Sequence, residues 1–370
     1  MDDFFGTDSV LGVERVQKLT VFWNELLVCY AASMNTTKKT ILFLFGGESS
    51  EHDVSISSAR NVFAALDAAK VTPVLCYIDP RGGWWHVSTI ARQHEHKERV
   101  TPLLGASAVE IGERIVHIDV IFPVLHGTHG EDGEVQGLAS LLHTPIVGCG
   151  VDGSLLCMDK TLAKQLLAGA GIPVVPGEWH TADRPPAFAD VVRRLGPVLF
   201  VKPARQGSSV GVGKASTEAE FMAAFQEAGS YDKVVLVESA IQSARELEVA
   251  LLGPAASPKA SGVGEVVPDA DFYSYESKYA DTSTSKIIIP AAIDPDVSAK
   301  IQKIAKEAYA VLRCRGLARI DFFLTPTGEL YVNEVNTLPG FTNISMYPKL
   351  WEASGLSNQA LVMTLIDQAV

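Results

Sequence analysis

The sequence has few cysteines, no excess of positive charge and no long apolar run. Its five cysteines are odd in number and widely spaced, without a Cys-x-x-Cys pair, which favours reduced and mostly buried thiols in a cytoplasm. Lysine and arginine number 31 against 43 aspartates and glutamates, so the formal net charge is -12. No basic stripe is present for a nucleic-acid backbone, and we predict no nucleic-acid partner.

The apolar stretch LTVFWNELLVCYAASM near the start carries Asn24 and Glu25 and is too short to span a bilayer. It follows an acidic start, which is not typical of a signal peptide. Met34 precedes the first strand-like run, so we interpret residues 1–33 as an N-terminal extension of unknown role. We predict no membrane association.

The chain is too long, at 370 residues, for one typical core. From residue 40 strand-like runs alternate with helical ones, as in a parallel α/β layer. After about residue 150 the pattern is typical of smaller α+β units. We therefore predict a mixed α/β and α+β protein with three units: an N-terminal parallel α/β domain over 34–149, a central unit over 150–242 and a C-terminal unit over 243–370.

The stretch VKPARQGSSVGVGK, residues 201–214, combines glycines, serines and lysines directly after an apolar run. It is not a P-loop, because Ser208 stands where the first glycine is needed and Ala215 follows the lysine. It is not a dinucleotide fingerprint either, because Ser216 replaces the third glycine. Small residues let backbone N–H groups approach an anion, and Lys202 could supply a point charge. The loop alone is equally compatible with an ordinary glycine-rich turn.

Two polar pairs flank the turn TPTGE near the C-terminus. Arg319 and Asp321 are two residues apart, as are Glu334 and Asn336, so each pair shares one face of a strand. Folding one strand onto the other brings Asp321 opposite Glu334. Two carboxylates and an amide oxygen in one small volume suit Mg²⁺ held together with phosphate oxygens. The alternative is an exposed hairpin with a polar side facing water.

The strand-end lysine, the glycine loop and the acidic hairpin together resemble the ATP-grasp enzymes, which use Mg²⁺ to pass the γ-phosphoryl group of ATP to a carboxylate. More specifically, the chain resembles the D-alanine–D-alanine ligase family from about residue 40 to residue 370. The motifs that carry the resemblance occur in the family's order: GGESSEHDVS, HGTHGEDGEVQG, MDK, VKPARQGSSVG, RELEV, FYSYESKY, RIDFF and NEVNTLPGFTNISMYPKLW.

This resemblance implies a three-domain ATP-grasp architecture and the ATP-dependent ligation of two D-alanine molecules for peptidoglycan precursor synthesis. The reaction would pass through a D-alanyl phosphate. It implies ATP and two Mg²⁺ ions, for which Mn²⁺ can substitute, and a cytoplasmic homodimer. The ATP-binding residues would be Lys160, Lys202, Glu238, Ile241, Glu246 and Lys278. The metal ligands would be Asp321, Glu334 and Asn336.

The resemblance also implies which residues handle the amino acids. Glu51 would anchor the ammonium of the first D-alanine, with His126 nearby, and Arg319 with the N–H of Gly340 would stabilise the oxyanion. Ser345 and Met346 would orient the second D-alanine. Tyr279 would hydrogen-bond with Ser208 and Glu51 as the site closes. A carboxylate at the position of Glu51 could instead merely complement the N-terminus of a helix.

Three other functions share parts of this pattern. A ligase that joins D-alanine to D-lactate or D-serine would use the same scaffold, but Tyr279 favours an amine acceptor, since depsipeptide-forming relatives typically carry phenylalanine there. Other ATP-grasp ligases, such as a glutathione synthetase or a biotin carboxylase, are disfavoured by HGTHGEDG and FTNISMYP. A non-catalytic nucleotide-binding regulator would have little need of Asp321, Glu334 and Arg319.

Overall fold

The structure is a computed structural model that describes residues 38–91, 98–267 and 286–369. The predicted extension over residues 1–33 lies outside these ranges. Within them the strands form three sheets, one in each of the three predicted units, whose boundaries stay predictions. None of the helices described there combines the length and the apolar composition needed to cross a membrane.

The first sheet contains β1 (Lys39–Gly46), β2 (Val71–Ile78), β3 (Trp84–His86), β4 (Glu98–Leu103), β5 (Ala108–Ile111), β6 (Arg114–His117) and β7 (Val120–Val124). Their order is β6-β5-β4-β3-β2-β1-β7. Parallel pairing of β1 with β2 and β7 confirms the predicted parallel layer. Strands β3 to β6 instead form an antiparallel meander, which the sequence did not predict. Helices α1 (His52–Ala64) and α2 (Glu134–Leu142) follow the edge strand β7 and its neighbour β1 along the chain, α1 after β1 and α2 after β7.

The second sheet contains β8 (Gly177–Thr181), β9 (Leu199–Pro203), β10 (Gly213–Ala215) and β11 (Val234–Ser239), in the order β10-β9-β11-β8. The glycine-rich loop is the connection from β9 to its antiparallel neighbour β10. Four helices belong to this region: α3 (Val151–Met158), α4 (Lys160–Gly169), α5 (Phe188–Leu195) and α6 (Glu218–Tyr231). Helix α6 begins with a capping box in which Thr217 and Glu220 satisfy each other's backbone N–H groups.

The third sheet contains β12 (Arg245–Gly253), β13 (Lys259–Val267), β14 (Lys286–Ile288), β15 (Gly316–Leu324) and β16 (Leu330–Asn336), in the order β14-β13-β12-β15-β16. Helices α7 (Pro295–Val311), α8 (Met346–Ala353) and α9 (Asn358–Ala369) accompany it. The predicted hairpin is β15 with β16, and its register places Asp321 opposite Glu334, as expected.

The buried side chains show which units are joined. One continuous core cluster combines Phe43 of the first sheet with Tyr347 and Trp351 of α8 and Ile366 of α9. The second sheet has a core of its own, formed by residues between Val191 and Val237. The first and third units are therefore fused through apolar packing. The second sheet has a separate core, but Cys157 of α3 and Leu167 of α4 are buried in the core of the third sheet.

A close approach of two glycines joins the end of the first unit to β15. Gly316 has φ +72°, and a Cβ added to it would lie 2.9 Å from the Cα of Gly148. A left-handed backbone and the absence of space for a methyl group both require glycine here.

We expect Gly316→Ala to lower the free energy of unfolding by about 3 kcal/mol, because left-handed strain of ~1–2 kcal/mol adds to an overpacking cost of ~1–3 kcal/mol. Gly328→Ala is the matched control, since Gly328 has φ +86° but no atom within 4 Å of its added Cβ. Urea unfolding of both variants measures the difference. Equal losses would show that the contact with Gly148 adds nothing to the backbone strain.

Candidate active site

Three carboxylates lie side by side across neighbouring strands of the third sheet. Glu248 of β12 is in register with Asp321 of β15, which is in register with Glu334 of β16. The Nδ2 of Asn336 donates to Oδ2 of Asp321 over 3.1 Å. This set of hard oxygen donors fits the divalent-cation site that the sequence predicted. Glu248 is an additional acidic neighbour that the sequence analysis missed.

Arg319 is held in a fixed orientation by two of these carboxylates. Its guanidinium donates two parallel hydrogen bonds to Asp321, both 2.7 Å long, and its Nε lies 2.9 Å from Oε2 of Glu248. Burial by itself would lower the pKa of Arg319, but the charges of Asp321 and Glu248 raise that pKa well above its usual value. The side chain is therefore a permanent, preorganised positive charge.

Glu51 occupies the N-cap position of α1, yet its side chain makes no capping hydrogen bond. The carboxylate is almost fully buried and accepts a hydrogen bond from Oγ of Ser208 in the glycine-rich loop. A contact across 157 residues therefore brings together the loop and the first unit, as the resemblance implied. The geometry disfavours the alternative in which Glu51 only complements the helix.

His126 is buried, and its two ring nitrogens have distinct partners. Its Nδ1 lies 3.0 Å from the carbonyl oxygen of Leu338, so Nδ1 carries the proton. Its Nε2 accepts from Oγ of Ser58 over 3.2 Å, and that hydroxyl itself accepts from the backbone N–H of Phe341. Burial lowers the pKa of His126. The ring is therefore neutral and fixes the segment that contains Gly340 to α1.

The segment before α8 is tightly packed around Ser345. A Cβ on Gly340 would lie 2.8 Å from Oγ of Ser345, so a larger residue at position 340 would displace that hydroxyl. The same oxygen accepts from the backbone N–H of Thr342 over 2.9 Å. Met346, the first residue of α8, is buried beside it. The hydroxyl and the backbone of this turn are thus held in one arrangement.

Most of the predicted residues meet at one cavity of about 190 Å³. Among those lining it are Glu51, His126, Ser208, Glu246, Arg319, Asp321, Glu334, Asn336, Gly340, Ser345 and Met346. The cavity lies where the first unit, the glycine-rich loop and the third sheet meet. The structure therefore confirms the proximity of these residues, while their individual roles stay predictions.

The predicted nucleotide residues are more scattered. Lys160 lines a small adjoining cavity of about 30 Å³ together with Glu334 and Asn336, and its Nζ donates to the carbonyl oxygen of Gln206 over 2.7 Å. Burial lowers the pKa of Lys160. Lys202 and Glu238 form an ion pair between β9 and β11.

Two groups of predicted residues remain apart from this arrangement. Ile241 is half-buried just beyond β11, and within the described ranges neither it nor the Lys202–Glu238 pair lines the two cavities. Lys278 and Tyr279 lie outside the described residues.

Glu131 lines both cavities and was not predicted. Its carboxylate accepts from the backbone N–H of Gly127 over 2.9 Å. Burial, followed by the nearby charge of Glu51, raises the pKa of Glu131 to about 8. The position of Glu131 in the HGTHGEDG motif could have identified it as a site residue. Glu248 could be identified only once the pairing of β12 with β15 was known.

Comparison with known families covers most of the chain. The sequence model described as the N-terminus of D-Ala–D-Ala ligase matches residues 40–149, and the model of the C-terminus matches residues 166–367. The D-alanine–D-alanine ligase of Shouchella clausii is 47% identical over 352 residues, which is 90% of this chain and 95% of the relative. D-alanine–D-alanine ligase A of Escherichia coli K12 is 43% identical over 360 residues, with 90% and 96% covered.

Solved structures give the same result. The D-alanine–D-alanine ligase of Coxiella burnetii superposes with a TM-score of 0.81 at 39% identity, covering 90% of this chain and 94% of that one. The VanG D-Ala:D-Ser ligase of Enterococcus faecalis also gives 0.81, at 34% identity, covering 90% and 100%. Sequence and fold are thus similar to these ligases across all three sheets.

Proposed function

The chain belongs to the D-alanine–D-alanine ligase family, and from that premise we propose that it joins two D-alanine molecules into D-alanyl-D-alanine while ATP is split to ADP and phosphate. The observation that carries this proposal is one cavity lined by a buried carboxylate, Glu51, a fixed guanidinium, Arg319, and the acidic hairpin of Asp321 and Glu334. These groups match an amino acid's ammonium, an oxyanion and a metal-bound phosphate, respectively.

The first D-alanine binds with its ammonium against Glu51. Ser208 holds the Glu51 carboxylate from the loop side, and the neutral ring of His126 adds no charge that would repel an ammonium. The substrate's carboxylate then points towards the hairpin. In this position it can receive the γ-phosphoryl group.

On the side of the site that would bind the phosphates, positive charge would come from bound metal ions and from two lysines. Asp321, Glu334 and Asn336 would hold divalent cations, which we propose to be two Mg²⁺ ions replaceable by Mn²⁺. When bound, these ions would supply positive charge against the transferred group. Lys160 and Lys202 supply the point charges for the phosphates, and the glycine-rich loop covers them. Glu238 and Ile241 meet the adenine largely through their backbone, and Glu246 accepts from the ribose hydroxyls.

In the second step, the free amine of the second D-alanine attacks the carbonyl carbon of D-alanyl phosphate. The carbonyl oxygen becomes an oxyanion, which Arg319 and the backbone N–H of Gly340 stabilise as preorganised donors. The amine loses a proton, phosphate leaves and the amide forms. Ser345 donates to the carboxylate of the second D-alanine, and Met346 packs beside it.

Tyr279 and Lys278 complete the proposal. Tyr279 would hydrogen-bond with Ser208 and Glu51, and Lys278 would reach the phosphates, so that water is kept from the acyl phosphate.

We further propose that the reaction occurs in the cytoplasm, where it supplies peptidoglycan synthesis. We also propose a homodimer, as the family resemblance implies. Sedimentation equilibrium tests this proposal, because one chain has a mass of 39.7 kDa and a homodimer has twice that mass.

The test of the function is product analysis with ATP, Mg²⁺ and D-alanine. We expect D-alanyl-D-alanine and ADP in equal amounts, and no ADP when D-alanine is left out. Equimolar D-lactate or D-serine tests the alternative acceptors, because an ester or a mixed dipeptide in excess would assign the chain to those ligases. ATP binding without any product would instead indicate a regulator.

Replacing Glu51 with glutamine should raise the KM for the first D-alanine roughly 10-fold or more, because a hydrogen bond to a charged group is worth about 1.5–3 kcal/mol. The amide keeps the shape and still accepts from Ser208. Initial rates with varied D-alanine at saturating ATP measure the effect. Glu48→Gln, an exposed neighbour in the same turn, is the control. If both D-alanine KM values are unchanged in Glu51→Gln, the carboxylate does not bind substrate.

A further inference from the structure

Helix α4 carries a second buried lysine that the proposed mechanism does not use. Lys164 lies one helical turn after Lys160, and its side chain is only 9% exposed. Its Nζ is 2.5 Å from Oε1 of Glu238, an ion-pair contact without hydrogen-bond alignment. A buried lysine is costly unless it is paired, so its place here needs a reason.

Glu238 is shared between two lysines. Its Oε1 faces Lys164 from α4, and its Oε2 faces Lys202 from β9. Burial by itself would raise the pKa of Glu238, but the two ammonium groups lower it overall, so the carboxylate is ionised. One negative charge thus lies between two positive charges at a position that is 2% exposed.

The partner of Lys202 in the structure differs from the partner that the proposed mechanism gives it. In the structure its ammonium is bound to Glu238, whereas the proposed mechanism requires it at the nucleotide phosphates. If Lys202 left a carboxylate that had no other partner, a buried and uncompensated charge would remain, and breaking buried pairs in this way is strongly unfavourable. With Lys164 present, Glu238 keeps one cation when Lys202 departs.

We propose that Lys164 is a positioning residue that keeps Glu238 paired, and thereby allows Lys202 to move from Glu238 to the phosphates of ATP. The proposal rests on the proposed function in two respects, the use of ATP and the place of Lys202 at its phosphates. A purely structural ion pair would need only one lysine for one carboxylate. Lys164 itself is confined, because its helix begins at an N-cap, Asp159, that accepts from two backbone N–H groups.

The test compares variants of the full chain by their ATP affinity. Lys164→Met keeps an unbranched side chain that is one atom shorter and removes its charge, so that Lys202 becomes the one remaining ion-pair partner of Glu238 among the described residues. We expect ATP to bind at least ~10-fold more weakly, because freeing Lys202 then leaves an unpaired buried carboxylate. Isothermal titration calorimetry with ATP and Mg²⁺, in the absence of D-alanine, measures the affinity. The KM for D-alanine should not change.

Three further variants separate this mechanism from a packing effect. Lys164→Arg keeps the charge and should bind ATP within about threefold of the wild type, and Gln165→Met, at an exposed position on the same helix, should do the same. The double variant Lys164→Met with Glu238→Gln removes the charge that retains Lys202. It should therefore recover most of the ATP affinity that Lys164→Met loses.

The inference is overturned if Lys164→Met binds ATP as the wild type does, or if the double variant binds as weakly as Lys164→Met. Should Lys164→Met fail to fold by circular dichroism, near-normal ATP affinity in the double variant would still support it and weak affinity would refute it. A wild-type chain that binds ATP with this variant pattern but ligates no D-alanine would contradict the proposed function and leave the role of Lys164 standing.

Discussion

Glu334→Gln should leave the fold and some ATP binding intact but lower the rate of phosphoryl transfer by at least ~100-fold, because charge stabilisation by bound metal is worth several kcal/mol. Glu334 lies opposite Asp321 on the hairpin and 3.9 Å from Nζ of Lys160, so it lies between the proposed metal ligands and the proposed phosphate lysine. Glutamine retains one oxygen donor but removes the negative charge. Single-turnover release of ADP over a range of Mg²⁺ concentrations measures the loss.

Glu329→Gln provides the control for that experiment. Glu329 belongs to the same hairpin but is exposed in its turn, where it bonds only to neighbouring threonines in the described structure. Its substitution should not alter the rate. Near wild-type turnover by Glu334→Gln at saturating Mg²⁺ would show that the hairpin does not bind the catalytic metal.

Arg319 should tolerate no substitution, and its two simplest replacements should fail in different ways. Arg319→Lys keeps the charge but loses the planar fork, so kcat should fall by about 10²–10³, as for the loss of one oxyanion donor. Arg319→Met leaves Glu248 and Asp321 without their shared cation. We expect it to lower the free energy of unfolding by about 3–5 kcal/mol as well.

Arg245→Lys is the matched control, because Arg245 makes the same two-bond fork with Glu265 on the same sheet, at 2.7 and 2.6 Å. Its effect on kcat should be small. Steady-state rates and urea unfolding of the three variants distinguish the outcomes. If Arg319→Lys retains full kcat, a point charge suffices and the fork plays no part in the reaction.

The acidic hairpin could be predicted because its register depends only on residues that are close together in the sequence. Alternation along two short strands and the turn TPTGE between them are enough to set Asp321 opposite Glu334, and the structure confirms that register. The parallel pairing of β1, β2 and β7 was likewise predictable from the alternation of strand-like and helical runs. The contact of Glu51 with Ser208 was expected only from the family resemblance.

The features that the sequence did not reveal depend on partners far along the chain. Glu248 joins the acidic group because β12 pairs with β15, and the 62 residues between these strands carry no signal for that register. Lys164 looks like any helical lysine until α4 packs against the Lys202–Glu238 pair. The meander of β3 to β6 consists of strands of three to six residues, too short for their alternation to stand out.

The first and third units share one core, although the second unit separates them along the chain. Phe43 and Ile366, at opposite ends of the described sequence, belong to one apolar cluster, and the ion pair of Lys39 with Asp367 closes the same junction at 3.1 Å. The second sheet has a core of its own. A core substitution at this junction therefore disturbs the first and third sheets together, whereas one in the core of the second sheet acts on that sheet alone.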